Sequence, residues 1–308
     1  MLVRKLLCVT VLSASSLNTW ALDVPGSLVD TAWLADNLKQ VSVLDVRKDL
    51  KSYDTAHIPG SVLINWKKVR VKRHQNGYDL IKIVPSKAEF EAQMQAAGIN
   101  KDSAVVISFK GKASKDLTFA TRLFWTFQYF DYNNVALLEG GTHKWAVEKR
   151  ELSTEAPTVV KGNFSVSGKT NEDILATEQE VKSAVDTGSD SIIDGRTPPY
   201  FTGEKQKDYV YAKGHIPTAH NISHLNLYQT DTKTGVITHK SPEALKALFT
   251  DAGIDVSKPS IIYCNSGHYS TGHWFVLNQL LGNDKAASYD ASMHEWTQAG
   301  KNNPVKIP

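Results

Sequence analysis

The sequence predicts an α/β protein of two tandem domains, each a parallel sheet covered by helices on both faces. Three observations carry this expectation. The chain has 308 residues, enough for two cores of about 130 to 150 residues. Short motifs recur in the same order: Val41 to Arg47 (VSVLDVR) answers Ser191 to Arg196 (SIIDGR), His57-Ile58-Pro59 answers His215-Ile216-Pro217, and Leu137 to Gly141 with Trp145 answers Ser288 to Ser292 with Trp296. Ordered repetition of this kind marks a duplication, with extra residues of the second copy around Pro198 to Tyr211. Finally, short apolar runs such as Ala104 to Ser108 and Ser260 to Tyr263 alternate with helical segments, the pattern of a parallel sheet buried on both faces.

Taken from the N-terminus, residues 1–21 read as a secretory signal. Arg4 and Lys5 supply the charged start, Leu6 to Leu17 the apolar run, and Thr19-Trp20-Ala21 the cleavage site after Ala21. The run is too short to span a bilayer, which needs ~20 apolar residues, so the expected location is the periplasm, with no membrane span in the mature chain. A first domain over 22–150 and a second over 162–308 are joined by the polar linker 151–161, which holds Pro157. Helix starts are written at Ser86 with Glu89 and at Thr177 with Glu180, which have capping-box spacing. Ser241-Pro242-Glu243 adds an N-cap, a proline at N1 and an acid in the first turn.

Formal charge is +3, and loss of Arg4 and Lys5 leaves a near-neutral chain that gives no reason to expect nucleic acid or a membrane surface as partner. The basic string Lys67 to Arg73 reads as a solvated loop without a partner.

Cysteine usage is more telling. Removing the leader takes Cys8 and leaves Cys264 as the lone thiol, so no disulfide can form within the mature chain. An unpaired thiol in an oxidising compartment calls for an explanation. Cys264 follows the apolar run Ser260-Ile261-Ile262-Tyr263 and precedes Asn265-Ser266-Gly267-His268-Tyr269-Ser270, with a helical pattern from Trp274 to Leu281. That order puts it at the carboxyl end of a parallel strand, on a loop opening a helix, where open α/β sheets bind ligands. The amides of such a loop favour negative charge and cradle an anionic substrate.

The Asp-x-Arg strand ends at Asp45/Arg47 and Asp194/Arg196, the His-Ile-Pro turns, the Cys-x-x-Gly loop at Cys264 to Gly267 and the segment Asp290 to Trp296 together resemble the rhodanese family, in particular the two-domain thiosulfate and 3-mercaptopyruvate sulfurtransferases. The resemblance implies two tandem rhodanese-like domains and a persulfide on Cys264. Sulfane sulfur would be taken from a small-molecule donor and handed to cyanide or a thiol, without metal or organic cofactor. It implies Ser266 as a second catalytic residue, and donor binding by Arg196, Asn265, Gly267, His268, Tyr269 and Ser270. His57 would be an interface proton relay to Ser266, with Asp49 or Asp54 as the acid. The neighbours also have structural readings: a salt bridge of Arg196 with Asp194, and imidazoles at His57 and His215 that tie down their loops. Trp145, Trp274 and Trp296 read as core aromatics. A phosphatase of the same fold would need arginine six residues after the cysteine, where this chain has Ser270. The first domain has no thiol to offer: Phe109, or Ser108 if one gap is allowed, stands opposite Cys264, and Lys110 to Ser114 reads as a solvated remnant. A sulfur carrier with little turnover of its own would share the same loop.

Overall fold

The computed structural model describes residues 22–75, 77–166 and 168–308, so the expected signal peptide lies outside the described residues. In the first half the chain runs β1 (Leu28–Val29), α1 (Thr31–Asn37), β2 (Val41–Arg47), α2 (Lys51–Thr55), β3 (Val62–Asn65), β4 (Val71–Gln75), β5 (Tyr78–Ile83), α3 (Lys87–Ala96), β6 (Ala104–Phe109), α4 (Ser114–Tyr129), β7 (Val135–Leu138) and α5 (Gly141–Val147). The strands order as β1-β7-β6-β2-β3, all parallel, while β4 and β5 form a separate antiparallel hairpin.

The second half repeats the plan with α6 (Glu178–Thr187), β8 (Ser191–Asp194), α7 (Pro198–Phe201), β9 (His220–Asn221), the hairpin β10 (Tyr228–Thr230) and β11 (Ile237–His239), α8 (Pro242–Asp251), β12 (Ser260–Tyr263), α9 (Ser270–Trp274), β13 (Ala286–Ser288) and α10 (Ser292–Trp296). Its sheet is β13-β12-β8-β9, again parallel. The fold is therefore α/β with two parallel sheets flanked by helices, as the repeats and alternation predict.

Local signals account for the helix starts. Ser86 and Thr177 each accept a hydrogen bond from the backbone of the glutamate three residues on, and the Glu89 and Glu180 carboxylates accept one from the cap amide, completing both capping boxes. Ser241 accepts from the Ala244 amide with Pro242 at N1. The helical pattern from Trp274 to Leu281 is realised differently: after α9 the backbone widens into a π-helical stretch, Phe275–Leu280. Trp145, Trp274 and Trp296 are buried, as expected.

Register resolves the ambiguity opposite Cys264. Asp45 pairs with Ser108 across β2 and β6, and Asp194 pairs with Tyr263 across β8 and β12. The residues one step further are Phe109 and Cys264, so buried Phe109 holds the position of the thiol.

Each half sends its hairpin onto the other. Around the second domain, the Ile81 amide donates to His294 Nε2 at 3.2 Å and the Val84 amide to Asp290 at 2.6 Å. In the reverse direction, Glu139 accepts from the His239 amide at 2.6 Å, and His143 Nε2 meets the Thr234 carbonyl at 2.9 Å. Glu139 and His143 are the repeat partners of Asp290 and His294, so the clasp is reciprocal. Between the halves α4 packs on α9, with Thr121 and Thr271 hydroxyls 3.4 Å apart and an apolar core continuous through both.

Candidate active site

Cys264 leaves the end of β12 fully buried, with 1% exposure. Beneath it lies Ser292, which the sequence marks only as a member of the repeat. Ser292 accepts the Cys264 amide at 3.0 Å and the Gly267 amide at 3.1 Å, and donates to the Tyr289 carbonyl at 2.7 Å. One donor and two acceptors exhaust a hydroxyl. Ser292 does this from a left-handed backbone, φ 54°, a conformation that costs a residue with a Cβ of order 1–3 kcal/mol and persists where surroundings enforce it.

The loop carbonyls are also held from outside. The Met293 amide donates to the Cys264 carbonyl, the His294 amide to the Asn265 carbonyl, and Arg122 to the Gly267 carbonyl at 2.8 Å. Arg122, fully buried on α4 of the first domain, also pairs with Asp290. Gly267 sits at φ 66°, and a Cβ there would collide with the Asp290 carbonyl, so only glycine fits. With these groups engaged, the amides of Asn265, Ser266, His268 and Tyr269 have no partner among the described residues. Such a nest of donors suits an anion. The Asn265 side-chain oxygen is buried and unpartnered as well.

The neighbouring side chains redistribute the expected roles. Arg196 does not reach out as a donor-binding arginine: it forms a forked pair with Asp194 at 2.6–2.9 Å and bonds the Gly214 carbonyl, repeating what Arg47 does with Asp45 and the Ala56 carbonyl. Its place is the tying one. The buried Ser270 hydroxyl accepts from the Ser288 hydroxyl at 2.8 Å, inside the domain. His268 turns inward, where Nε2 meets Thr118 at 2.8 Å and the ring packs between Trp66 and Phe119 of the first domain. Burial holds its pKa well below the ordinary histidine value. Tyr269 stacks on His224 at 3.6 Å, and burial lowers the His224 pKa to about 4.

His57 is not a relay at the interface. Its Nδ1 meets the Tyr53 carbonyl at 2.8 Å and Nε2 the Glu155 carbonyl at 3.1 Å, with the ring stacked on Tyr53. Both ring nitrogens face backbone carbonyls of the first half and the segment after it, not the active loop. His215 is held in a similar way in the second domain, against the Phe201 carbonyl and ring. Ser266 instead has Tyr209 as a neighbour, and burial raises the Tyr209 pKa. Tyr209 belongs to the segment that the second copy adds to the repeat.

Two cations of the first domain stand beside the residues around the thiol, contrary to the reading of Lys67 to Arg73 as a solvated loop. Lys67, Lys68 and Lys72 are exposed, but Arg70 lies over the Trp66 ring at 4.0 Å, and its buried Nε has no partner among the described residues. Lys82 on β5 lies over the Tyr209 ring at 3.3 Å. Both stand within electrostatic reach of Cys264, and burial lowers Arg70 to about 10 and Lys82 to about 8. Linear order carries no sign of this, since residues near 70 and 82 meet Cys264 only through folding of the hairpin. Among the described residues there is no metal-ligating cluster.

The model of the rhodanese-like domain matches residues 30–148 and 177–299. The sulfur carrier protein TtuD of Thermus thermophilus is 34% identical over 284 residues, covering 88% of this chain and 94% of that protein. A Saccharopolyspora erythraea protein named "Putative thiosulfate sulfurtransferase" is 31% identical, covering 89% and 92%. Among solved structures, the 3-mercaptopyruvate sulfotransferase SseA of Escherichia coli superposes with a TM-score of 0.73 at 23% identity, over 87% of this chain and 98% of that one.

Proposed function

The chain belongs to the rhodanese family of sulfurtransferases, and on that premise we propose that it moves sulfane sulfur from thiosulfate or 3-mercaptopyruvate to a thiol or cyanide through a persulfide on Cys264. The carrying observation is the buried Cys264 thiol at the end of β12, in a loop whose shape is held by Ser292 and Arg122.

With thiosulfate, the Cys264 thiolate attacks the outer sulfur, an S–S bond forms to Sγ, and the old S–S bond breaks with its electron pair leaving on sulfite. Cyanide then takes the outer sulfur as thiocyanate and returns the thiolate. With 3-mercaptopyruvate the C–S bond breaks instead, and the thiol proton ends on carbon as pyruvate forms. Ser266, backed by Tyr209, is the group available to move that proton. Free amides of the loop stabilise the charge carried by the persulfide.

Intact-mass measurement after incubation with either donor tests the proposal. One added sulfur atom on wild type and none on Cys264→Ser is the expected result, and absence of loading with both donors rejects it. A second reading, a sulfur carrier that discharges only to a dedicated partner, is favoured by the name of the TtuD relative and by the 1% exposure of Cys264. Rapid multiple turnover with cyanide argues against it. We also propose export of the chain, which N-terminal sequencing of the exported form, starting at Leu22, would test.

A further inference from the structure

Lys82 occupies an irregular place in its hairpin. Val71 pairs with Ile83 and Lys72 with Ile81, so Lys82 is an extra residue without a partner across the ladder. It is also left-handed, φ 63°, in a position where glycine would be the unstrained choice. Bulges next to active sites re-aim a side chain at the expense of ladder regularity. Here the bulge directs the Lys82 ammonium onto the face of Tyr209, a neighbour of Ser266, which lies two residues from the thiol.

Arg70 arrives just before the same hairpin. Its guanidinium lies on Trp66, which in turn packs at 4.6 Å on His268 of the active loop. Neither cation has a carboxylate within ion-pair distance among the described residues, whereas Arg47, Arg73, Arg122, Arg150 and Arg196 all do. Two partly buried, unpaired cations beside a nucleophilic sulfur are costly unless an anion visits them. With Arg196 committed to Asp194, the loop has no cation of its own free for that anion.

We propose that Arg70 and Lys82, both from the domain without a thiol, form the receptor for the anionic group of the sulfur donor. This rests on the sulfurtransferase reading of Cys264. Thiosulfate brings two negative charges toward a thiolate and departs as sulfite. Arg70 and Lys82 offset that repulsion on approach and hold the charge that collects on the leaving group. The planar fork of Arg70 suits two sulfonate or carboxylate oxygens, while the Lys82 ammonium supplies a point charge. The groups that face Lys82 are Arg70, Lys207, Asp208, Tyr209 and Cys264. Burial is the largest influence on it and brings its pKa to about 8. Donor capture is therefore strongest below that pH and declines above it.

The test separates the two half-reactions. Loading of the full chain by thiosulfate is followed by sulfite release, and discharge of the purified persulfide form is followed with dithiothreitol, a neutral acceptor. Arg70→Ala and Lys82→Ala are each expected to slow loading at low thiosulfate by at least about tenfold, with discharge changed by less than about threefold. Arg70→Lys is expected to recover part of the loss. Lys82→Arg should keep loading nearly level through about pH 8 to 9, where wild type falls. Loading that is unaffected by both alanine variants overturns the proposal, as does an equal fall of loading and discharge. Wild type that fails to load with any donor rejects the sulfurtransferase reading itself, a result distinct from variants that load as wild type does.

Discussion

The two halves share a fold, and the difference that bears most on the chemistry lies at the end of one strand. After Phe109 the first domain takes four residues to reach α4, and after Cys264 the second takes five to reach α9. At the third helical position, the first has Asp116, whose carboxylate accepts the Lys112 and Ala113 amides at 3.2 and 3.1 Å, while the second has Gly272. Beneath the loop, Gly141 stands where the second domain has Ser292; both are left-handed. The first domain has thus filled its own anion nest with a carboxylate and lost the hydroxyl that braces it. The missing thiol is only one of three differences, and restoring one of them is expected to leave the site incomplete.

Moving the thiol from one half to the other puts this contrast under the greatest load. Cys264→Ser is expected to abolish sulfur loading, and adding Phe109→Cys to it should leave loading at background by intact mass, because Asp116 occupies the loop amides. Loading on the introduced thiol would show that the sulfur atom alone distinguishes the halves. Next in size is Arg122→Met, which strands buried Asp290 and frees the Gly267 carbonyl. It should cost about 3–5 kcal/mol in denaturant unfolding.

Ser292→Gly, which gives the second domain the first domain's residue, relieves the left-handed strain but orphans two amides. Loading is expected to slow by about 10- to 100-fold, with a net stability loss of roughly 1 kcal/mol. If stability falls without an effect on loading, Ser292 is a packing residue only. The smallest effect is expected for Asp116→Ala, which uncaps α4 for about 1 kcal/mol while sulfur transfer stays at the wild-type rate.

What was legible in the sequence was whatever neighbours along the chain decide. The strand into Cys264, the turn through Gly267 and the capping boxes at Ser86 and Thr177 are local, and the duplication is visible as order. The partners that set the site's chemistry are not local. Arg70, Lys82 and Arg122 come from the other domain, far from Cys264 along the chain, and Tyr209 comes from a segment with no counterpart in the repeat. Arg196 shows the limit from the other side: an arginine two residues past an aspartate on a strand end reads equally as a ligand or a tie, and only the 2.6–2.9 Å fork to Asp194 separates them. Ser292 was within reach of sequence reasoning, since the repeat aligns it with Gly141 and a serine at a position that tolerates glycine asks for a reason.

The exchanged hairpins bear on how such a chain can change over time. Because β4 and β5 rest on Asp290 and His294, and β10 and β11 on Glu139 and His143, neither copy of the duplication can be discarded once the other relies on it. The half without a nucleophile cannot drift freely as a redundant gene segment would. It is kept as a wall of the site, and a mutation that loosens it is expected to be felt as lost chemistry in its twin.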